Sequence, residues 1–217
     1  SILKAVQLST AFDIPVMGFN YGRLGYLSNR FDGDVYDFFE EFLADYQQNP
    51  SDFVEERHGL VCQIFCEEAE YKVFALNEFS FIAADQGRIL DYRLLVNSSK
   101  IQDTRSDSLI VASATGSTAY ALSAGGPIMS PYVKGMVCVP LAPHAIVGRP
   151  LVVSNDDFID LDFTIENARQ AARVVCDGNV LDIEDIQKVR IASANEKTQL
   201  LRYKQPDFYS QVSAVFF

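Results

Sequence analysis

The chain has 217 residues, 48% of them hydrophobic and 22% charged, with a formal net charge of -11. That balance describes a folded globular protein and argues against disorder, against a broad basic surface for nucleic acid and against docking on an anionic membrane. No apolar run reaches the ~18 residues of a membrane-spanning helix, and the first residues lack the basic-then-apolar order of a signal peptide, so a cytoplasmic protein is expected. Four cysteines and two histidines leave no zinc site of the usual spacing and predict reduced, mostly buried thiols. Cys62 and Cys66, four apart in a strand-like run, share one sheet face.

Taken in order, Ile2, Leu3 and Val6 stand at helical spacing in residues 1–10. Residues 14–19 read as a short buried strand, followed by a glycine-punctuated loop from Asn20 to Leu27. In 34–48 the apolar residues Val35, Phe38, Phe39, Phe42, Leu43 and Tyr46 fall on one helix face, and Asn49-Pro50 ends the helix. An aromatic stripe of this kind is a packing feature, and no ligand is assigned to it. Beyond Ser51 the period switches to that of strands, expected at 60–66, 71–76, 89–96, 109–112, 136–141, 158–165, 172–176 and 189–192. In 158–165, Asp160 and Asp162 alternate with Ile159, Leu161, Phe163 and Ile165, predicting one wet and one buried sheet face. Strands at this spacing suggest a β-sandwich. The expected organisation is a partial α/β, Rossmann-like part at 1–50, an all-β sandwich at 51–195 and a hydrophobic C-terminal segment at 196–217 packing back on the first part, α+β overall.

The most informative stretch runs from Ser113 to Pro127, SATGSTAYALSAGGP. Small residues let backbone approach a ligand, and hydroxyls beside exposed N–H groups can hold a phosphate or an amide. A small-residue turn between two elements is the plain structural reading of the same run. Three further features accompany it: Asn77-Glu78 at a strand break, Arg105-Ser106-Asp107, and Cys176-Asp177-Gly178-Asn179. Asn offers both donor and acceptor, and carboxylates accept from hydroxyls, which is the chemistry of gripping a ribose diol. Taken singly, each is equally a turn Asn, a surface ion pair, or an Asp-Gly hairpin. The serines lack the GxSxG elbow of a hydrolase.

The order and spelling of these pieces resemble the NAD kinases nearly end to end: Gly18-Phe19-Asn20 through Tyr26-Leu27, Leu76-Asn77-Glu78, the 107–127 block, Pro140-Leu141-Ala142-Pro143-His144 with Arg149-Pro150, and Cys176-Asp177-Gly178. The resemblance implies phosphorylation of the adenosine 2'-hydroxyl of NAD, with ATP or polyphosphate as donor and a divalent cation, Mg²⁺, as cofactor. It implies that Asn77 and Glu78 hold ribose hydroxyls and that Asp107 positions the nicotinamide-side ribose or amide. Thr118, Ala119, Tyr120, Ala121, Leu122 and Ser123 line the same pocket. Arg88, Arg105 and Asn179 supply further dinucleotide contacts, and Tyr26 stacks on adenine. The family's GGDG motif, whose aspartate is the general base, is expected to end one residue before Ser1, so no catalytic residue is named within the chain. Ser108 and Ala114 replace the family's usual glycine and proline, and the basic ending common in the family is missing. A homodimer or homotetramer is implied, with 142–150 as a candidate interface. A non-catalytic NAD(P)-binding module and a related nucleoside or lipid kinase are the alternatives to a NAD kinase.

Overall fold

The computed structural model describes residues 2–21, 25–31, 33–85, 87–144, 148–165 and 171–216, which leaves Gly22, Arg23 and Leu24 of the glycine-punctuated loop and residues 145–147 of the candidate interface outside the described residues. Two compact units are present, one made of Ser1–Arg57 with Glu196–Phe217 and the other of His58–Asn195. The fold class is an α/β N-terminal part and an all-β domain.

The first unit carries α1 (Ile2–Thr10), α2 (Val35–Tyr46) and a C-terminal helix. Asp34 caps α2, its carboxylate accepting from the Tyr36 N–H at 2.7 Å, which satisfies one of the donors a helix start leaves open. The stripe on α2 does pack. Phe42 is 2% exposed and meets Tyr46, Phe53 and Tyr203 at ring separations of 5.1, 5.9 and 5.6 Å. Phe39 and Leu43 stay 41% and 39% exposed, so the buried face is narrower than the sequence pattern predicts. Residues 14–19 do not form the expected buried strand: Ile14 is 56% exposed, and pairing is confined to parallel bridges of Val16 with Leu200 and of Phe19 with Asn29. Pro15, without an N–H, breaks the run that a strand would need. Asn29, fully buried, does the joining that apolar residues were expected to do. Its amide donates to the carbonyls of Gly18 and Leu201 at 3.2 and 2.8 Å and its Oδ1 accepts from Tyr203 N–H at 2.9 Å.

Among the described residues the all-β unit and its margins hold twelve strands: β1 (Val54–Cys66), β2 (Glu70–Ala75), β3 (Glu78–Ala83), β4 (Leu90–Val96), β5 (Ser99–Ser106), β6 (Ser108–Ser113), β7 (Gly135–Leu141), β8 (Leu151–Ser154), β9 (Phe158–Asp162), β10 (Ala172–Cys176), β11 (Asn179–Val180) and β12 (Ile186–Leu201). They form one hydrogen-bonded sheet in the order β5-β4-β9-β12-β10-β3-β6-β7-β8, with β1 beside β12, β2 beside β1 and β11 beside β10. Leu94 of β4 and Met136 of β7, from opposite arms of that path, belong to the same apolar core as Leu60, Phe79, Phe81, Leu161 and Ile191. The sheet therefore curls around its own interior, and the layers of the expected sandwich are parts of one sheet. In β9, Ile159 and Leu161 are fully buried while Asp160 and Asp162 face outward toward Arg190 and Lys188 at 2.7 and 3.6 Å, as the alternation predicts.

β6 is buried on both faces. Leu109 and Val111 enter the main core, whereas Ile110 and Ala112 join Ala114, Ala121, Met129, Val137 and Val139 in a second cluster. That second cluster seats the short helix α3 (Tyr120–Ser123) through Ala121, and so fixes the hydroxyl-rich run above the end of β6. The cysteines are thiols: Cys62, Cys138 and Cys176 are buried and Cys66 is half-buried. No described helix is long and apolar enough to cross a membrane.

Candidate functional site

Asn77 and Glu78 stand where β3 begins, between β10 on one side and β6 on the other. Cys176 pairs with Asn179 across a two-residue turn, and Asp177 and Gly178 take φ values of +45° and +80°, the left-handed pair that a tight hairpin needs. This turn aims the Asp177 carboxylate at the start of β3. One oxygen accepts from Leu76 N–H at 2.9 Å; the other accepts from the N–H groups of Asn77 at 2.8 Å and Glu78 at 3.1 Å. From the other side Ser113 N–H donates to the Asn77 carbonyl at 2.9 Å, and the Ser113 hydroxyl donates to the Leu76 carbonyl at 2.7 Å. Gly116 closes the cage, because a Cβ there would lie 2.1 Å from the Asn77 carbonyl oxygen. Only glycine lets the two backbones come this close.

The hydroxyl-rich run divides by role. Ser117 is fully buried and spends its hydroxyl on the backbone, donating to Ala114 O at 2.7 Å and accepting from Met129 N–H at 2.9 Å. Thr118 donates to Thr115 O at 3.2 Å and is half-buried, Tyr120 is 42% exposed, and Ser123 is exposed. Ala119 and Leu122 are half-buried, while Ala121 points into the second core. Thr115, 6% exposed, keeps a buried hydroxyl with no partner among the described residues. Asn179 turns its amide back on its own hairpin, toward the carbonyls of Cys176 and Asp177 at 3.5 and 3.3 Å.

Glu78 is the electrostatic centre of this end. Its carboxyl is pushed up from the ordinary 4.5 to about 7, first by burial and then by the nearby Asp177 carboxylate; a backbone N–H of Tyr120 donates to it and holds the rise back. The Tyr120 contact ties α3 to β3. Among the described residues the Oε2 atom of Glu78 is buried with no partner. At neutral pH such a carboxyl is close to half-ionised and can accept from, or donate to, a hydroxyl placed against it.

The other predicted residues lie elsewhere. Arg88 is exposed in the β3–β4 connection, and Arg105 on β5 pairs with the nearly buried Asp91 at 2.7 Å. Asp107 is exposed between β5 and β6, its N–H held by Leu141 O at 3.0 Å. Because Glu78 sits opposite Ala112 in the β3–β6 register, Asp107, five residues before Ala112 and just ahead of β6, lies about 17 Å away. Tyr26 belongs to the other unit, where its ring stands 6.0 Å from Phe208 and 6.5 Å, nearly parallel, from Phe216 of α4 (Phe208–Phe216). The structure thus gathers Asn77, Glu78, Asn179 and the 118–123 run at one end of β3 and puts Arg88, Arg105 and Asp107 at the other. Asp177 and Thr115 were not among the candidate binding residues. The Asp-Gly turn was legible, but its grip on backbone a hundred positions earlier was not.

Among the described residues no group of three His, Cys, Asp or Glu side chains could hold a metal ion. Comparison with known proteins bears on the same region. Residues 76–203 match the ATP-NAD kinase C-terminal domain. A NAD kinase of Caldicellulosiruptor saccharolyticus is 34% identical over 214 residues, covering 96% of this chain and 75% of that protein. Among solved structures, an NAD kinase from Archaeoglobus fulgidus in complex with ATP superposes with a TM-score of 0.73 at 27% identity, over 93% of this chain and 74% of that one. Yeast NADH kinase complexed with NADH has the same fold, with a TM-score of 0.77 at 23% identity over 93% of this chain, which spans 58% of the yeast protein's length. The match runs through the locked Asn77-Glu78 corner and the Gly116 turn, and the chain belongs to the NAD kinase family.

Proposed function

We propose that the chain binds NAD and presents the 2'-hydroxyl of its adenosine ribose to the terminal phosphate of ATP, the reaction of a NAD kinase. The 2'-oxygen forms a bond to the γ-phosphorus, the bond from that phosphorus to the β–γ bridging oxygen breaks, ADP leaves, and the hydroxyl proton is released to water. The observation that carries this reading is the buried, unpartnered Oε2 of Glu78 beside Asn77, on a backbone held in place by Asp177, Ser113 and Gly116. A buried acceptor without a protein partner among the described residues is one that a ribose hydroxyl would satisfy.

Asn77 and Glu78 grip the ribose, and Thr118, Ala119, Tyr120 and Ser123 wall the pocket over Ala121 and Leu122. Asp107, with Arg88 and Arg105, serves the nicotinamide side and the pyrophosphate, and Tyr26 the adenine. These residues bind and orient; the proton transfer is assigned to none of them. A divalent cation, Mg²⁺, belongs to the same reading as cofactor and would offset the charge of the donor phosphates. ATP as donor is supported by the relative solved with ATP, and NAD as acceptor by the relative named a NAD kinase at 34% identity. A homo-oligomer belongs to the same reading, supported by exposed Tyr132, Val133 and Val152 along the β7–β8 edge. A cytoplasmic location is supported by four cysteines kept as thiols.

The test is NADP formation from NAD, ATP and Mg²⁺ by the product of the whole gene, with the 217-residue chain assayed alongside. NADP production by the gene product is expected. Dinucleotide binding with no NADP formed by either would replace the kinase with a binding module.

A further inference from the structure

The Asp177 carboxylate is 7% exposed and accepts three backbone N–H bonds, from Leu76, Asn77 and Glu78, at 2.8 to 3.1 Å. Charge-assisted bonds of this kind are among the stronger ones in a protein interior. Here the buried carboxylate holds main chain at the place where two candidate ligand side chains emerge. The same hairpin returns a bond in the opposite direction, Asp177 N–H to Glu78 O at 3.0 Å. We propose that Asp177 is a positioning residue of the nucleotide site, which fixes where Asn77 and Glu78 stand and so decides how well they meet a ribose. This rests on the reading of that site given above.

Geometry gives the role a second arm. The titratable and polar groups facing the Glu78 carboxyl are the Asp177 carboxylate from the hairpin, the Cys176 thiol from β10 and the Tyr120 N–H from α3. Burial first, and the Asp177 carboxylate after it, make ionising Glu78 costly, so removing the Asp177 charge lets Glu78 ionise at lower pH. A residue that merely stapled a hairpin would not change the pH dependence of ligand binding.

Asparagine and glycine both tolerate the left-handed conformation at this turn, so Asp177→Asn and Asp177→Gly keep the hairpin while removing the charge or the whole acceptor. The experiment follows amide hydrogen exchange at Leu76, Asn77 and Glu78 and titrates NADP between pH 5.5 and 8.5, in the native chain, both variants and the exposed control Asp185→Asn. Asp177→Gly is expected to exchange these amides at least about tenfold faster and to bind NADP at least about tenfold more weakly. Asp177→Asn, whose folding is checked by its melting temperature, is expected to move the pH midpoint of NADP binding below the native one. The control leaves both readouts unchanged. Faster exchange with native NADP affinity, or an unmoved midpoint in Asp177→Asn, would overturn the positioning role. A native chain that binds no NADP at any pH would instead overturn the reading of the site, and the exchange data would still report whether Asp177 holds the three amides.

Discussion

The two ends of the β3–β6 pair solve different problems. At the Glu78 end, main chain is gripped from both sides, Gly116 lies against Asn77, and one carboxylate oxygen is buried with no partner among the described residues. At the Asp107 end the side chains are exposed, and Arg105 engages Asp91 with its own side chain 41% exposed. Buried polar geometry is expensive to disturb, because each displaced group loses a partner that water cannot replace, whereas exposed charges are screened and readjust. The comparison teaches that the candidate residues are not held alike. Those at the locked end are fixed in position, and those at the open end are charges free to readjust.

Four substitutions sharpen or break that contrast. The largest effect is expected at Gly116→Ala, where the new Cβ meets the Asn77 carbonyl and one backbone must move. Calorimetric unfolding should show a loss of about 3 kcal/mol, with NADP affinity falling along with it. A melting curve matching the native one would show that the close approach is not required.

Glu78→Gln comes next, and its signature is a slope. Burial raises the folded carboxyl from 4.5 to about 7, so the native chain loses stability as pH climbs from the first value through the second. The glutamine variant lacks that loss. Its stability relative to the native chain should rise by roughly 3 kcal/mol across this interval, read from urea unfolding at several pH values. Parallel curves would mean that Glu78 titrates normally and that the corner is wetter than described.

Asn77→Ala leaves the backbone bonds of residue 77 in place and removes only the side-chain amide. In the gene product NAD use, as kcat/KM, should drop about tenfold with the melting temperature almost unchanged. Asp107→Ala should have the smallest effect on stability, within about 0.5 kcal/mol, and should weaken NAD use less than Asn77→Ala does, with a dependence on salt. A larger loss at Asp107 than at Asn77 would reverse the ranking of the two ends.

Much of this was legible in the chain. α2 announces itself through the Asp34 cap and an aromatic row at helical spacing, and β9 through acids alternating with aliphatics. β3 is harder to read: Phe79, Ser80 and Phe81 alternate, but the alternation stops at Ile82-Ala83 and Asn77-Glu78 reads as a break, while in the fold Ser80 is buried along with both rings. β5 was missed for a different reason: Ser99–Ser106 is a polar edge strand whose pairing with β4 is all that defines it. In the site, residue types and spelling marked Asn77, Glu78 and the Gly116 run. What sequence could not show was depth: Ser113 and Ser117 carry the same hydroxyl as Ser123, yet the first two are consumed by backbone. Such a division depends on contacts between distant segments, as does the reach of Asp177 to Leu76.

The most direct test of the locked corner as the dinucleotide site is an amide NMR titration of the 217-residue chain with NADP. Shifts concentrated at residues 77, 78 and 118–123, saturating with added ligand, are the predicted result. Saturating shifts that leave those residues untouched and gather around 88, 105 and 107 would place the ligand at the open end and contradict the account.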